Sequence, residues 1–180
     1  MKRTLILVLA LLSAGCTVAH VVDSWKAAGA KPFKRSNKRV VLVVANDPER
    51  RARAETKLAE EIKAVPLRSL FGDDELKDGV AVKARLLEQG FTELVVLRVE
   101  VETERSMRRL SVWKRWLTVG VPYASNTRLD LITSVYDIAE GDLVWQLESF
   151  SYDPSSVESL LEEHAKAGIE RLKADGMLVD

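Results

Sequence analysis

The stretch from Phe91 to Glu102 constrains the fold more than any other, because its pattern changes partway along. Leu94-Val95-Val96-Leu97 is an uninterrupted apolar run, the mark of a strand covered on both faces. Beyond it Val99 and Val101 alternate with Arg98, Glu100 and Glu102, the period-two pattern of a strand with one wet face. One strand therefore meets helices on both sides at its start and an antiparallel neighbour at its end. A mixed sheet provides both environments.

The flanking segments supply the two halves. Val40 to Ala45 reads as another covered strand; Asn46 and Asp47 offer caps, Pro48 suits a first helical turn, and Ala54, Leu58, Ile62 and Val65 recur at helical spacing. Val65 to Leu70 reads as a short strand. Gly72-Asp73-Asp74-Glu75 is a turn suited to starting a short helix, and a further helix runs to Gln89 with Gly90 as its stop. Arg128 to Ile138 alternates through Leu129, Leu131, Thr133 and Val135. After Ala139-Glu140-Gly141-Asp142, Leu143 to Phe150 alternates again, which predicts a hairpin. Asp153-Pro154-Ser155-Ser156 then caps a long helix with Val157, Leu161, His164, Gly168 and Leu172 on one stripe and Gly176 at its close. The order β-α-β-α-β-β-β-α predicts an α/β (mixed α+β) fold, a mixed sheet of about five strands with helices packed on it.

The chain has 180 residues, 47% hydrophobic and 30% charged, which suits one domain and excludes a polyelectrolyte or a polytopic membrane protein. Lys2 and Arg3 precede the apolar run Leu5 to Leu12, shorter than the about 20 residues that span a bilayer, so residues 1–15 read as a signal peptide. Leu12-Ser13-Ala14-Gly15-Cys16 resembles the lipobox of bacterial lipoproteins, and that resemblance implies that the Cys16 sulfur carries acyl chains such as palmitate and becomes the first residue after cleavage. Each buried CH₂ of such chains contributes about 0.8 kcal/mol to membrane attachment. Thr17 follows the cysteine, and resemblance to lipoprotein sorting then implies the periplasmic face of the outer membrane. Cys16 is the one cysteine, which leaves no internal disulfide. The whole chain carries 27 basic and 27 acidic residues; loss of Lys2 and Arg3 leaves 25 against 27, a charge of −2, and nucleic acid is not an expected partner.

Residues 16–37 hold Gly29, Pro32, Ser36 and Asn37 without a sustained period, so they read as the lipidated cysteine and a tether, with a single α/β domain over 38–180. Trp25 and Phe33 within the tether either dock on that domain or touch a partner.

Ser24-Trp25-Lys26, Phe33-Lys34, the Val40-to-Val44 strand running into Asp47-Pro48, and Val65-Pro66-Leu67-Arg68-Ser69-Leu70 resemble segments of a family of bacterial lipoproteins. Gly90-Phe91-Thr92-Glu93-Leu94-Val95-Val96-Leu97-Arg98, Val135-Tyr136-Asp137 and Gly141-Asp142-Leu143-Val144-Trp145 continue the likeness over nearly the whole mature chain. The architecture is similar to envelope lipoproteins of the curli-secretion, penicillin-binding-protein-activator and TolB N-terminal type, which implies an α/β domain that works by binding proteins. Members of the family carry a long Tyr-, Pro- and Gly-rich insertion before the hairpin, where this chain has a short basic segment.

Candidate catalytic groups hardly converge. The two histidines are His20, in the tether, and His164, on the stripe of the last helix beside Glu163, which reads as a core-edge residue. His-Glu-x-x-His, Gly-x-Ser-x-Gly and the glycine-rich phosphate loops are absent, and a zinc site needs three or four ligands, of which an acylated Cys16 would not be one. Aligned on Gly79, Asp73-Asp74-Glu75-Leu76-Lys77-Asp78-Gly79 puts Leu76 and Arg85 where a calcium loop needs oxygen ligands. Glu162 and Glu163 point about 100° apart on a helix, unlike a glycosidase pair. No enzyme activity, metal or cofactor is expected.

Arg105 to Val121 interleaves Arg105, Arg108, Arg109, Lys114 and Arg115 with Leu110, Val112, Trp113, Trp116 and Leu117. As a helix it gathers Leu110, Trp113 and Leu117 on one side; as a strand it splits the two tryptophans between faces; both readings stand. Its basic groups suit lipid phosphates or an acidic partner surface, with Arg108, Arg109, Trp113, Lys114, Arg115 and Trp116 as contact candidates, and it equally suits a sheet extension under solvated charges. Arg50, Arg51 and Arg53 read as a solvated helix face. The sequence thus points to a membrane-anchored, non-catalytic binding or assembly module with an envelope protein partner. The alternative is a scaffold or secretion-associated lipoprotein that forms a homo-oligomer through the edge of the third strand or the hairpin.

Overall fold

The computed structural model describes residues 19–45, 47–102, 128–152 and 156–179, with the backbone alone at 100–102. The mixed α/β fold expected from the sequence is present, with four α-helices and a six-stranded sheet among the described residues. In chain order the elements are β1 (His20–Lys26), β2 (Phe33–Lys34), β3 (Lys38–Val44), α1 (Pro48–Ile62), β4 (Val65–Pro66) and α2 (Leu67–Leu70). A 3-10 turn (Glu75–Lys77) leads into α3 (Gly79–Glu88), followed by β5 (Phe91–Glu102), β6 (Arg128–Asp137), β7 (Leu143–Tyr152), α4 (Val157–Ala174) and β8 (Leu178–Val179).

The sheet order is β1-β7-β6-β5-β3-β4, and a separate pair joins β2 to β8 in parallel. β3 is parallel to β4 and β5, whereas β5, β6, β7 and β1 run antiparallel in turn. The change of sense falls at β5, where the sequence pattern changes. The sixth strand is a correction: His20–Lys26, read from sequence as tether, pairs with β7 from His20 opposite Phe150 to Lys26 opposite Trp145.

Two crossovers, β3-α1-β4 outward and β4-α2-α3-β5 back across β3, place their helices on opposite faces when both are right-handed. The buried side chains divide accordingly. Val41, Val43, Val95, Leu97, Leu131, Trp145 and Leu147 pack with Leu58 of α1 and Leu161 and Ala165 of α4. On the other face Val40 and Phe91 pack with Leu67, Phe71 and Leu86 around α2 and α3. A buried Val or Leu contributes about 1.5–3 kcal/mol over its exposed state, so these two clusters supply most of the driving force.

Local chemistry sets the boundaries. The Asp47 carboxylate accepts the Arg50 amide at 2.9 Å, and Pro48 opens α1. Asn46, the other candidate cap, and residues 153–155 lie outside the described residues, and Ser156 caps α4 by accepting the Ser159 amide at 3.0 Å. Gly90, at φ 78, turns the chain from α3 into β5.

The expected strand Val65 to Leu70 is confined to Val65–Pro66, and Leu67–Leu70 is helical. The reason lies on α1, where Glu55, only 1% exposed, accepts the Val43 amide at 3.1 Å and the Arg68 amide at 2.9 Å. Because β4 pairs only with Val40 and Val41, the Val43 amide has no ladder partner on that side, and the Glu55 carboxylate takes its place. The same carboxylate caps α2, whose own Ncap, Pro66, has no side chain able to do so.

Candidate functional site

Cys16 and the contact candidates Arg108, Arg109, Trp113, Lys114, Arg115 and Trp116 lie outside the described residues. The segments that hold them leave the fold at one end of the sheet. Glu102 pairs with Arg128 and Arg128 with Tyr152, while His20 pairs with Phe150, so β5 ends where β6 begins, β7 ends and β1 starts. Three residues separate Cys16 from His20, a reach of at most about 14 Å.

At that end the sheet face away from α1 and α4 carries an aromatic cluster. The His20 and Phe150 rings stack 5.1 Å apart, Tyr152 meets Phe150 edge-on at 5.3 Å, and the Arg128 guanidinium sits 4.4 Å over Phe150. α2 and α3 pack on β3, β4 and β5 on this face. Trp25 on β1 stays 49% exposed and Tyr152 48% exposed.

The edge expected for self-association needs correction. β7 of the hairpin is covered by β1, so among the described residues the outer edge on that side is β1 itself, whereas β5 pairs with β3 only as far as Arg98 and its Val99–Glu102 end pairs with β6 alone. A bulge between Val21 and Asp23, with exposed Asp23 and Lys26, interrupts that edge. β1 is fastened to the domain through Asp175, just beyond α4. The Asp175 carboxylate accepts Trp145 Nε1 at 2.8 Å and Ser24 Oγ at 2.9 Å, Arg171 Nε lies 3.1 Å away, and Lys26 Nζ donates to the Asp175 carbonyl at 2.8 Å. Burial pushes the Asp175 carboxyl up, but the Trp145 and Ser24 hydrogen bonds and the Arg171 and Lys26 charges outweigh it and hold it below the ordinary value. Of the two tether aromatics, Phe33 docks in the core and Trp25 stays half-exposed.

His164 is buried against the sheet rather than at its margin, and its partners are not Glu163. Its Nε2 meets Thr133 Oγ1 at 2.6 Å and its Nδ1 meets Ser149 Oγ at 2.7 Å. A neutral imidazole has one donor and one acceptor, and the two hydroxyls satisfy both. Burial lowers its pKa from 6.5 to about 4. With both nitrogens engaged, the ring has no free atom to present as a base or metal ligand.

Beside His164 opens a cleft of about 240 Å³ between the C-terminal halves of α1 and α4, the sheet and the β2–β8 pair. Leu58, Ile62, Val95, Val135, Ile169 and Leu172 give it an apolar lining; Arg35, Arg39, Glu61, Lys63 and Glu93 add charge. The Glu93 carboxylate, itself buried, is held by Asn37 and, at 3.2 Å, by Arg39. The sequence pattern did not reveal this cleft, because its walls come from seven separate segments. Among the described residues no group of three or more His, Cys, Asp or Glu is placed to hold a metal ion, and no helix is long and apolar enough to cross a membrane.

No protein-family model and no curated protein matches the sequence. Among solved structures, two crystal forms of the PelC dodecamer from Paraburkholderia phytofirmans, one a point variant, are similar in chain path. The variant matches at TM-score 0.49 and 11% identity over 80% of this chain and 93% of PelC. The other matches at TM-score 0.49 and 12% identity over 81% of this chain and 90% of PelC. A likeness of this degree assigns no residue a role.

Proposed function

We propose that this chain is a lipoprotein of the bacterial envelope, anchored through acyl chains on Cys16 at the periplasmic face of the outer membrane, and that it works without catalysis as a docking module for another envelope protein. The observation that carries the reading is the convergence at one end of the sheet. The start of β1, four residues from Cys16, the two ends of the 103–127 connection and the His20–Phe150–Tyr152 cluster all lie there. A partner at the membrane surface would meet these aromatics together with the basic, tryptophan-containing segment 105–121, a combination of residue types enriched at binding hot spots. His164, the candidate base, serves packing.

Cys16→Ser tests the anchor: the wild type fractionates with membranes and carries an acylated N-terminal cysteine by mass spectrometry, and the variant accumulates as an uncleaved or soluble form. Unchanged fractionation with a normal mature mass overturns the reading. A second reading, self-association, is favoured by the outer edge of β1, which pairs with no strand among the described residues. Light scattering on residues 17–180, which keep β1 whole, distinguishes a ring from a monomer, and a monomer leaves the docking module.

A further inference from the structure

We propose that β1 is a releasable strap, a strand that unpairs from β7 as a unit while the rest of the domain stays folded, with Asp175 as its latch. What β1 lacks is a share in the core. No residue from His20 to Lys26 belongs to either buried cluster; six of the seven are exposed and Ser24 is half-buried. Among the described residues β1 pairs only with β7, and the bulge between Val21 and Asp23 interrupts that ladder. A strand with exposed backbone bonds and no buried apolar side chain opens at lower free energy than the strands beneath it.

Its side-chain fastening is concentrated at one place. Ser24 Oγ donates to the Asp175 carboxylate at 2.9 Å and accepts from Arg171 Nε at 2.6 Å, while Lys26 Nζ donates to the Asp175 carbonyl at 2.8 Å. The same carboxylate accepts Trp145 Nε1 of β7 at 2.8 Å, so one residue ties β1 both to its neighbouring strand and to the end of α4. Without that node β1 keeps the ladder and the His20–Phe150 stack. The core stays closed when β1 leaves, because β7 remains paired with β6 and packed through Trp145 and Leu147.

Release changes the reach of the chain. Ala30 is the first residue after β1 that packs against the core. With β1 in place the chain from Cys16 to His20 spans at most about 14 Å; with β1 released the chain from Cys16 to Ala30 spans at most about 48 Å. This gain in reach rests on the anchor at Cys16, whereas the release itself does not.

The test is residue-resolved hydrogen exchange of the full chain in detergent. Ser24→Ala, which removes the hydroxyl between Asp175 and Arg171, accelerates the protected β1 amides on both sides of the bulge by one common factor, about tenfold, and leaves β5 and β6 unchanged. A disulfide across the opposed pair in Trp25→Cys/Gln146→Cys slows the same amides at least tenfold, and its reduction restores them. Acceleration confined to Asp23–Lys26 is fraying at the mutated site, and acceleration shared with β6 is global unfolding; either result overturns the proposal. Cys16→Ser exchanges as the wild type does, so a failed anchor leaves this outcome unaltered. In vesicles, energy transfer from a dye on Val80→Cys to an acceptor lipid falls with Ser24→Ala. Unchanged transfer overturns the gain in reach, and a chain that does not join the vesicles overturns the anchor and that gain with it.

Discussion

Protonation of His164 gives the fold a specific acid weakness. In the folded protein the ring sits between Thr133 and Ser149 and titrates at about 4; in the unfolded chain it titrates at 6.5. Between those values the unfolded chain binds a proton that the folded protein refuses, so stability rises with pH across that window. The contribution is complete above about pH 6.5, is lost as pH falls toward 4, and levels off below. At about 1.36 kcal/mol per pKa unit the loss at pH 4 is about 3 kcal/mol, a large part of the 5–15 kcal/mol typical of a domain. Acid acts on the rest of the protein as well, so the comparison is with His164→Gln, which keeps a donor and an acceptor but does not titrate. Urea unfolding of both proteins from about pH 7.5 to pH 4 gives the difference directly, and the wild type loses about 3 kcal/mol relative to the variant over that range. A difference that changes by less than about 1 kcal/mol, or an imidazole titrating above pH 6 by NMR, would refute the reasoning, because water would then reach the ring.

Glu55→Ala leaves the buried Val43 and Arg68 amides unpaired and removes the carboxylate 3.6 Å from Arg68 Nε, costing about 3–5 kcal/mol in urea unfolding; a loss under about 1 kcal/mol contradicts its bracing role. Asp175→Asn removes the charge facing Arg171 and weakens the Ser24 and Trp145 hydrogen bonds, while the Lys26 bond to the backbone carbonyl stays, and hydrogen exchange of β1 amides accelerates about 10- to 100-fold while β5 is unchanged. Lys63→Gly relieves the left-handed conformation at φ 53 and stabilises by about 0.5–1 kcal/mol; destabilisation shows that the lysine side chain stabilises the fold.

The parts of the fold legible in the sequence were those whose cause is local. The apolar run in β3, the change of pattern in β5 and the alternation of β6 and β7 each follow from what covers a strand, and the caps of α1 and α4 are short-range chemistry. β1 was not legible because its bulge breaks the period-two pattern and its residues are mostly exposed, so it reads as tether although its ladder to β7 is continuous on either side of Val22. Leu67–Leu70 was misread because the acceptor that caps it, Glu55, belongs to a helix earlier in the chain. The stripe places His164 toward the core but not how deeply, because Thr133 and Ser149, which hold it, come from two strands of the sheet. The cleft is set by how far apart two helices lie on a sheet, which no single segment encodes.

Docking through the sheet face that carries Trp25 and Tyr152 is tested most directly by placing a photo-crosslinking amino acid at either position in the living cell envelope, with Val80, 83% exposed on α3, as the control position. The account predicts one discrete envelope protein captured from Trp25 and Tyr152, absent from Val80 and lost with Trp113→Ala/Trp116→Ala. No capture, or the same products from all three positions, would contradict it.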